Sequence, residues 1–148
     1  MPGFRTIGDV LDLAIAREVE AQRLYANLAQ LATRPEVQSV IRRLGADEVQ
    51  HRIHLEAIKA GEVAFARKEE VGSLHIEEAL AEVTPQPEMS YADLLIIGMK
   101  KEKAAFRLYT NLASIATSET LRDLLTKLAQ EEAEHKLRLE IEYDWATF

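Results

Sequence analysis

The 148-residue sequence predicts an all-α fold: a four-helix bundle made of two repeated helix hairpins with a long crossover between them. Three observations lead there. The chain repeats itself at an offset of 84 residues, apolar residues recur at helical spacing in four long segments, and no segment alternates as a strand would.

The repeat is ungapped over its core. Arg17 to Glu56 aligns with Lys101 to Glu140, with 15 of the 40 positions identical. Repeat 1 covers about 6–60, the crossover about 61–89 and repeat 2 about 90–144 of a single domain spanning 1–148.

The first helix is placed at about 6–33, opening on a capping-box pattern at Thr6 and Asp9, with Asp for the commoner Glu. Leu11, Glu18, Tyr25 and Ala32 follow at intervals of seven, beside Ala14, Ala21 and Leu28, as one helix face. Thr33-Arg34-Pro35 marks a tight turn, Pro being tolerated in a first helical turn, and a second helix covers about 35–60. The crossover carries Gly72 and Thr84-Pro85-Gln86-Pro87, and Leu74 to Val83 could form a short helix. A connection this long suits a chain returning along the length of a bundle.

The third helix, about 90–117, repeats the opening at Ser90 and Asp93. It repeats the stripe too, as Leu95, Glu102, Tyr109 and Ala116 flanked by Gly98, Ala105 and Leu112. Thr117-Ser118 marks the second turn and the fourth helix covers about 119–144. Neither hairpin alone could bury its apolar stripe, so the two are expected to dock as one domain.

Composition narrows the chemistry. There is no cysteine, which excludes disulfides, zinc ribbons, cysteine-ligated iron–sulfur centres and thiol nucleophiles within this sequence. The start lacks the basic and apolar regions of a signal peptide, and no stretch suggests a membrane span, so a cytoplasmic location is expected. A net charge of −7 without a basic patch points away from nucleic acid and from anionic membranes.

Six residues concentrate the chemistry. Glu48-Val-Gln-His51 lies on the second helix and Glu132-Ala-Glu-His135 on the fourth. Residues three apart share a face, so each pair can grip one ion from one side. Glu18 and Glu102 interrupt otherwise apolar stripes. In each hairpin the stripe glutamate and the Glu/His pair are equidistant from the turn, which puts them at one height. Docking the hairpins about a pseudo-twofold axis gathers four carboxylates and two imidazoles in one layer. Four buried carboxylates without partners would each cost on the order of several kcal/mol. Two divalent cations would neutralise them. Mixed carboxylate and imidazole ligation suits iron or manganese and admits zinc. Tyr25 and Tyr109, two turns on from Glu18 and Glu102, read either as core aromatics or as donors to the ligands; His54 and His75 read as surface residues.

Through E-x-x-A-x-x-x-Y at Glu18 to Tyr25 and Glu102 to Tyr109, and through both E-x-x-H pairs, the sequence resembles rubrerythrin-like diiron proteins of the ferritin-like superfamily. The resemblance covers nearly the whole chain. It implies a ferritin-like bundle holding two iron ions, bridged by Glu48 and Glu132. Glu18 and Glu102 would be terminal, with His51 on one metal and His135 on the other. In such proteins an acid beside each motif reaches the opposite histidine, here Asp47 to His135 and Glu131 to His51. Two departures stand out: the sequence has no cysteine-rich iron domain, and Ala105 replaces an additional Glu of rubrerythrins. The remaining set is closer to that of bacterioferritins, but Val49 stands where they carry a haem-binding Met, so no haem is expected. Ligands supplied by a single chain also separate the sequence from Dps-type ferritins, whose sites form between subunits.

The resemblance thus implies an oxidoreductase reacting with dioxygen or hydrogen peroxide, in an oxidative-stress or iron-redox role. It would draw electrons from an external donor such as a separate rubredoxin, and a homodimer is expected. The alternatives are a ferroxidase/iron-storage protein, a dimanganese catalase-like enzyme and a metal-free helical interaction module.

Overall fold

The apolar stripes fold as four helices: α1 (Ile7–Leu31), α2 (Pro35–Gly61), α3 (Tyr91–Ile115) and α4 (Glu119–Thr147). The structure, a computed structural model, describes residues 7–61 and 89–148. Thr6, His75 and the crossover, with the short helix expected at Leu74 to Val83, lie outside the described residues. α1 packs against α2, α3 against α4, and α1 against α3. The result is the all-α, ferritin-like four-helix bundle.

Helix limits follow from local chemistry. Ser90 caps α3: its Oγ accepts from the Asp93 N–H at 3.1 Å, while Asp93 Oδ2 accepts from the Ser90 N–H at 3.3 Å. Ser118 caps α4 by accepting from the Leu121 N–H at 3.0 Å. At the two turns, repeat-related side chains serve the same backbone group. Gln38 donates to the Ala32 carbonyl at 2.7 Å, and Arg122, 84 positions later, donates to the Ala116 carbonyl at 2.9 Å. Each satisfies a carbonyl orphaned at a helix end. α4 runs three residues beyond its expected end at 144, and there Tyr143 is only partly buried while Trp145 is exposed.

The core is two apolar clusters with a polar layer between them. One contains Val10, Leu11, Ala14, Leu55, Leu112, Leu125 and Leu128. The other contains Ala21, Leu28, Ile41, Leu44, Leu95 and Leu139. α1 contributes its early residues to the first cluster and its late ones to the second, whereas α3 does the reverse. The two helices are therefore antiparallel. On every helix the gap between clusters falls on the predicted residues: 18 on α1, 48 and 51 on α2, 102 on α3, 132 and 135 on α4.

Candidate metal centre

The structure gathers the six residues into one buried layer. Glu18, Glu48, His51, Glu102, Glu132 and His135 are all at most 3% exposed. They form two groups whose donor atoms lie within 4.8 Å of one another: Glu18, Glu48, His51 and Glu132, and Glu48, Glu102, Glu132 and His135. Glu48 and Glu132 belong to both.

Each histidine turns Nε2 outward and Nδ1 inward. His51 Nε2–H donates to Glu131 Oε1 at 2.8 Å, and His135 Nε2–H donates to Asp47 Oδ2 at 3.0 Å. Those acids are 30% and 44% exposed, so the layer is buried but its outer acids reach solvent. Inside, His51 Nδ1 lies 3.4 Å from Glu18 Oε2, 3.4 Å from Glu48 Oε1 and 3.3 Å from Glu132 Oε1. His135 Nδ1 lies 3.0 Å from Glu48 Oε1, 2.9 Å from Glu102 Oε2 and 3.3 Å from Glu132 Oε1. The two imidazoles stack with centroids 5.9 Å apart, and Tyr25 meets His135 edge-on.

The tyrosines join the layer, each from the opposite hairpin. The Tyr109 hydroxyl donates to Glu18 Oε2. Tyr25, its repeat mate, is 1% exposed and feels the charge of Glu102 most strongly among its neighbours, though its hydroxyl completes no hydrogen bond. Burial first, and then these carboxylates, raise both phenols well above their ordinary range. Both therefore keep their protons.

Burial first, and the mutual repulsion of the carboxylates second, push Glu48 and Glu132 well above the usual carboxylate range. Burial also raises Glu102, against the opposing effect of His135. For the histidines burial works against the charge, but the acids outweigh it. Glu18 and Glu131 raise His51, and Glu102 and Glu48 raise His135 to about 10. Every shift has one physical meaning: the layer attracts positive charge.

The donor set fits metal ions. Both oxygens of Glu48 and of Glu132, Glu18 Oε1 and His51 Nδ1 are buried without a hydrogen-bond partner. A neutral imidazole that donates through Nε2 presents a lone pair at Nδ1, and both lone pairs converge on carboxylate oxygens. Such an arrangement is repulsive unless a proton, as between His135 Nδ1 and Glu102 Oε2 at 2.9 Å, or a metal cation sits among the atoms. The spacings around each Nδ1 resemble the edges, about 3.0–3.4 Å, of an octahedron or tetrahedron with metal–ligand bonds near 2.1 Å.

A cavity of about 240 Å³ reaches this layer between α1 and α3. Glu18, Glu48, Glu102 and Glu132 line its inner end, and Ala14, Ala21, Ala104, Ala105 and Leu108 its walls. Ala105 is partly exposed along it, unlike its buried repeat mate Ala21.

Three features escaped sequence reading. His54 is half-buried rather than a surface residue, with Nδ1 shielded and unpartnered. Glu142 is buried outside the pattern and pairs with Arg138 at 3.2 Å; the i, i+4 spacing was the available signal. Lys101 crosses from α3 to Glu20 on α1, which also takes Arg17, both at 3.0 Å. That pairing depends on how the hairpins dock.

Among the described residues, no helix is long and apolar enough to cross a membrane. No curated protein and no solved structure matches the chain. A family model described as Rubrerythrin matches residues 9–143, a span that includes all six residues of the layer, and the chain belongs to the rubrerythrin family.

Proposed function

We propose that the protein is a non-haem diiron oxidoreductase that reacts with dioxygen or hydrogen peroxide. The sharing of Glu48 and Glu132 by both donor groups, with all four of their oxygens buried and unpartnered, carries this reading. Glu18 and His51 would complete the donors to one metal, and Glu102 and His135 those to the other. Bound as a pair, iron supplies two electrons per cycle to the oxidant.

The chain's own residues do the rest. Asp47 and Glu131 hold each imidazole by its Nε2–H, which fixes the tautomer and aims the Nδ1 lone pair inward. Tyr109 keeps its phenolic proton and holds Glu18 in place through it. The flanking apolar clusters exclude bulk water from both ends of the layer. The cavity past Ala105 is the route for a small oxidant. The sequence has no cysteine to hold an iron–sulfur or rubredoxin-like centre, so reducing equivalents reach the layer from outside these 148 residues, through a donor of the rubredoxin kind.

Metal analysis with an optical spectrum of the aerobically purified protein tests the reading. Two irons per chain with near-ultraviolet charge-transfer absorption are expected; a manganese pair, or no metal, would overturn it. Peroxide turnover should be absent with NADH alone and appear when rubredoxin and its reductase are added. A homodimer in size-exclusion chromatography, rather than a hollow assembly, would set iron storage aside.

A further inference from the structure

We infer that the cavity between α1 and α3 binds a small organic carboxylate, with its charge at a lysine-rich mouth and its hydrocarbon end facing the four glutamates. This site presupposes the metal pair proposed above, because four unneutralised carboxylates would repel such a ligand.

Size is the first consideration. A cavity of about 240 Å³ has the volume of roughly eight waters in the liquid. Dioxygen and hydrogen peroxide have two heavy atoms each. Two metal ions at the inner end would still leave most of the space to something larger.

The walls give the second. Ala14, Ala21, Ala104, Ala105 and Leu108 offer methyl groups only, and the hydroxyl of Tyr109 beside them is taken by Glu18, which suits a hydrocarbon body better than a multiply charged inorganic anion.

The mouth gives the third. Arg17, Lys100, Lys101 and Lys103 line it. Glu20 already takes Arg17 and Lys101. Lys100 and Lys103 are exposed on the same rim, so among the described residues the mouth carries four cations, two of them held by Glu20. The bias is local, since the sequence as a whole carries a net charge of −7. The repeat mates of Lys100 and Lys103 on α1 are Ala16 and Val19, both uncharged. Arg17 and Lys101 are themselves repeat mates, so it is Lys100 and Lys103 that break the internal symmetry the donor layer keeps. The symmetric layer does not require this rim; recognition of an anion does.

The test uses the zinc-loaded protein, which is redox-inert, and isothermal titration calorimetry with acetate, butanoate, hexanoate, hexan-1-ol and inorganic phosphate. Zinc stoichiometry is read first. Affinity should tighten from acetate to hexanoate by about fourfold per buried methylene. Hexan-1-ol should bind at least about tenfold more weakly than hexanoate, the loss expected for a charged hydrogen-bonding group. Ala105→Leu should weaken hexanoate by a similar factor at unchanged zinc content. The double replacement Lys100→Gln/Lys103→Gln should bring hexanoate down towards hexan-1-ol. Hexanoate binding no tighter than acetate, equal binding to Ala105→Leu, or displacement by equimolar phosphate would overturn the site. Failure of the wild-type chain to take up two zinc ions would overturn the metal reading with it, whereas absent hexanoate binding at full zinc occupancy would overturn the carboxylate site alone.

Discussion

The two histidines divide their ring nitrogens between an outer acid and the interior of the layer. That division makes Asp47 and Glu131 positioning residues whose effect can be measured apart from folding, because both reach solvent. Asp47→Ala frees the His135 ring to rotate and to exchange tautomers. Metal affinity is expected to fall by about 10- to 100-fold, read by competition with a chelator, with helicity unchanged. Glu131→Ala should act likewise through His51. Wild-type affinity in both would show that these contacts do not orient the ligands. The gathering of the six residues in one layer was legible from spacing, since an acid at 48 and an imidazole at 51 can only share a face, and the repeat supplied the second copy. The tyrosines were legible only as one of two readings, and their acceptors not at all. Tyr109 reaches Glu18 on the other hairpin, and the side on which a phenol finds its acceptor is settled by docking, which no spacing within one helix encodes.

At the scale of the helix, close approach of α1 and α2 depends on a missing side chain. A Cβ on Gly45 would lie 3.2 Å from Tyr25 Cβ. A Cβ cannot swing aside as the end of a side chain can, so Gly45→Ala must part the two helices slightly. The gain in helix propensity, about 1 kcal/mol, opposes an overpacking cost of about 1–3 kcal/mol. A net loss on the order of 1 kcal/mol is expected in urea unfolding; a more stable variant would show that the helices have room to spare. Ser90→Ala removes the acceptor for the Asp93 N–H and should cost about 0.5–2 kcal/mol. The capping box and both turns were visible in the sequence because their chemistry is local. The end of α4 was not, since no Gly or Pro lies between 144 and Phe148 to mark a stop.

For the molecule as a whole, the metal-free layer couples stability to pH. Glu48, Glu102 and Glu132 hold protons above their ordinary value of 4.5, and His51 and His135 above 6.5. The folded state therefore binds more protons than the unfolded one, and stability falls as pH rises. The histidine contribution is fully present below 6.5 and is lost as pH climbs through the folded values, about 10 for His135. The Tm of the metal-free protein should drop between about pH 6 and about pH 9, while the metal-loaded protein, whose cations replace those protons, should not show the drop. Loading should also release protons into a weakly buffered solution. A metal-free Tm that rises over this interval would contradict the protonated layer. The paired glutamates have a consequence for biosynthesis. Each donor group borrows one carboxylate from the other half of the chain: Glu132 completes the group of Glu18, Glu48 and His51, and Glu48 completes that of Glu102, Glu132 and His135. A growing polypeptide therefore cannot finish either group until α4 has emerged from the ribosome. The metal content of a truncated or misassembled chain would then report whether the two halves ever met.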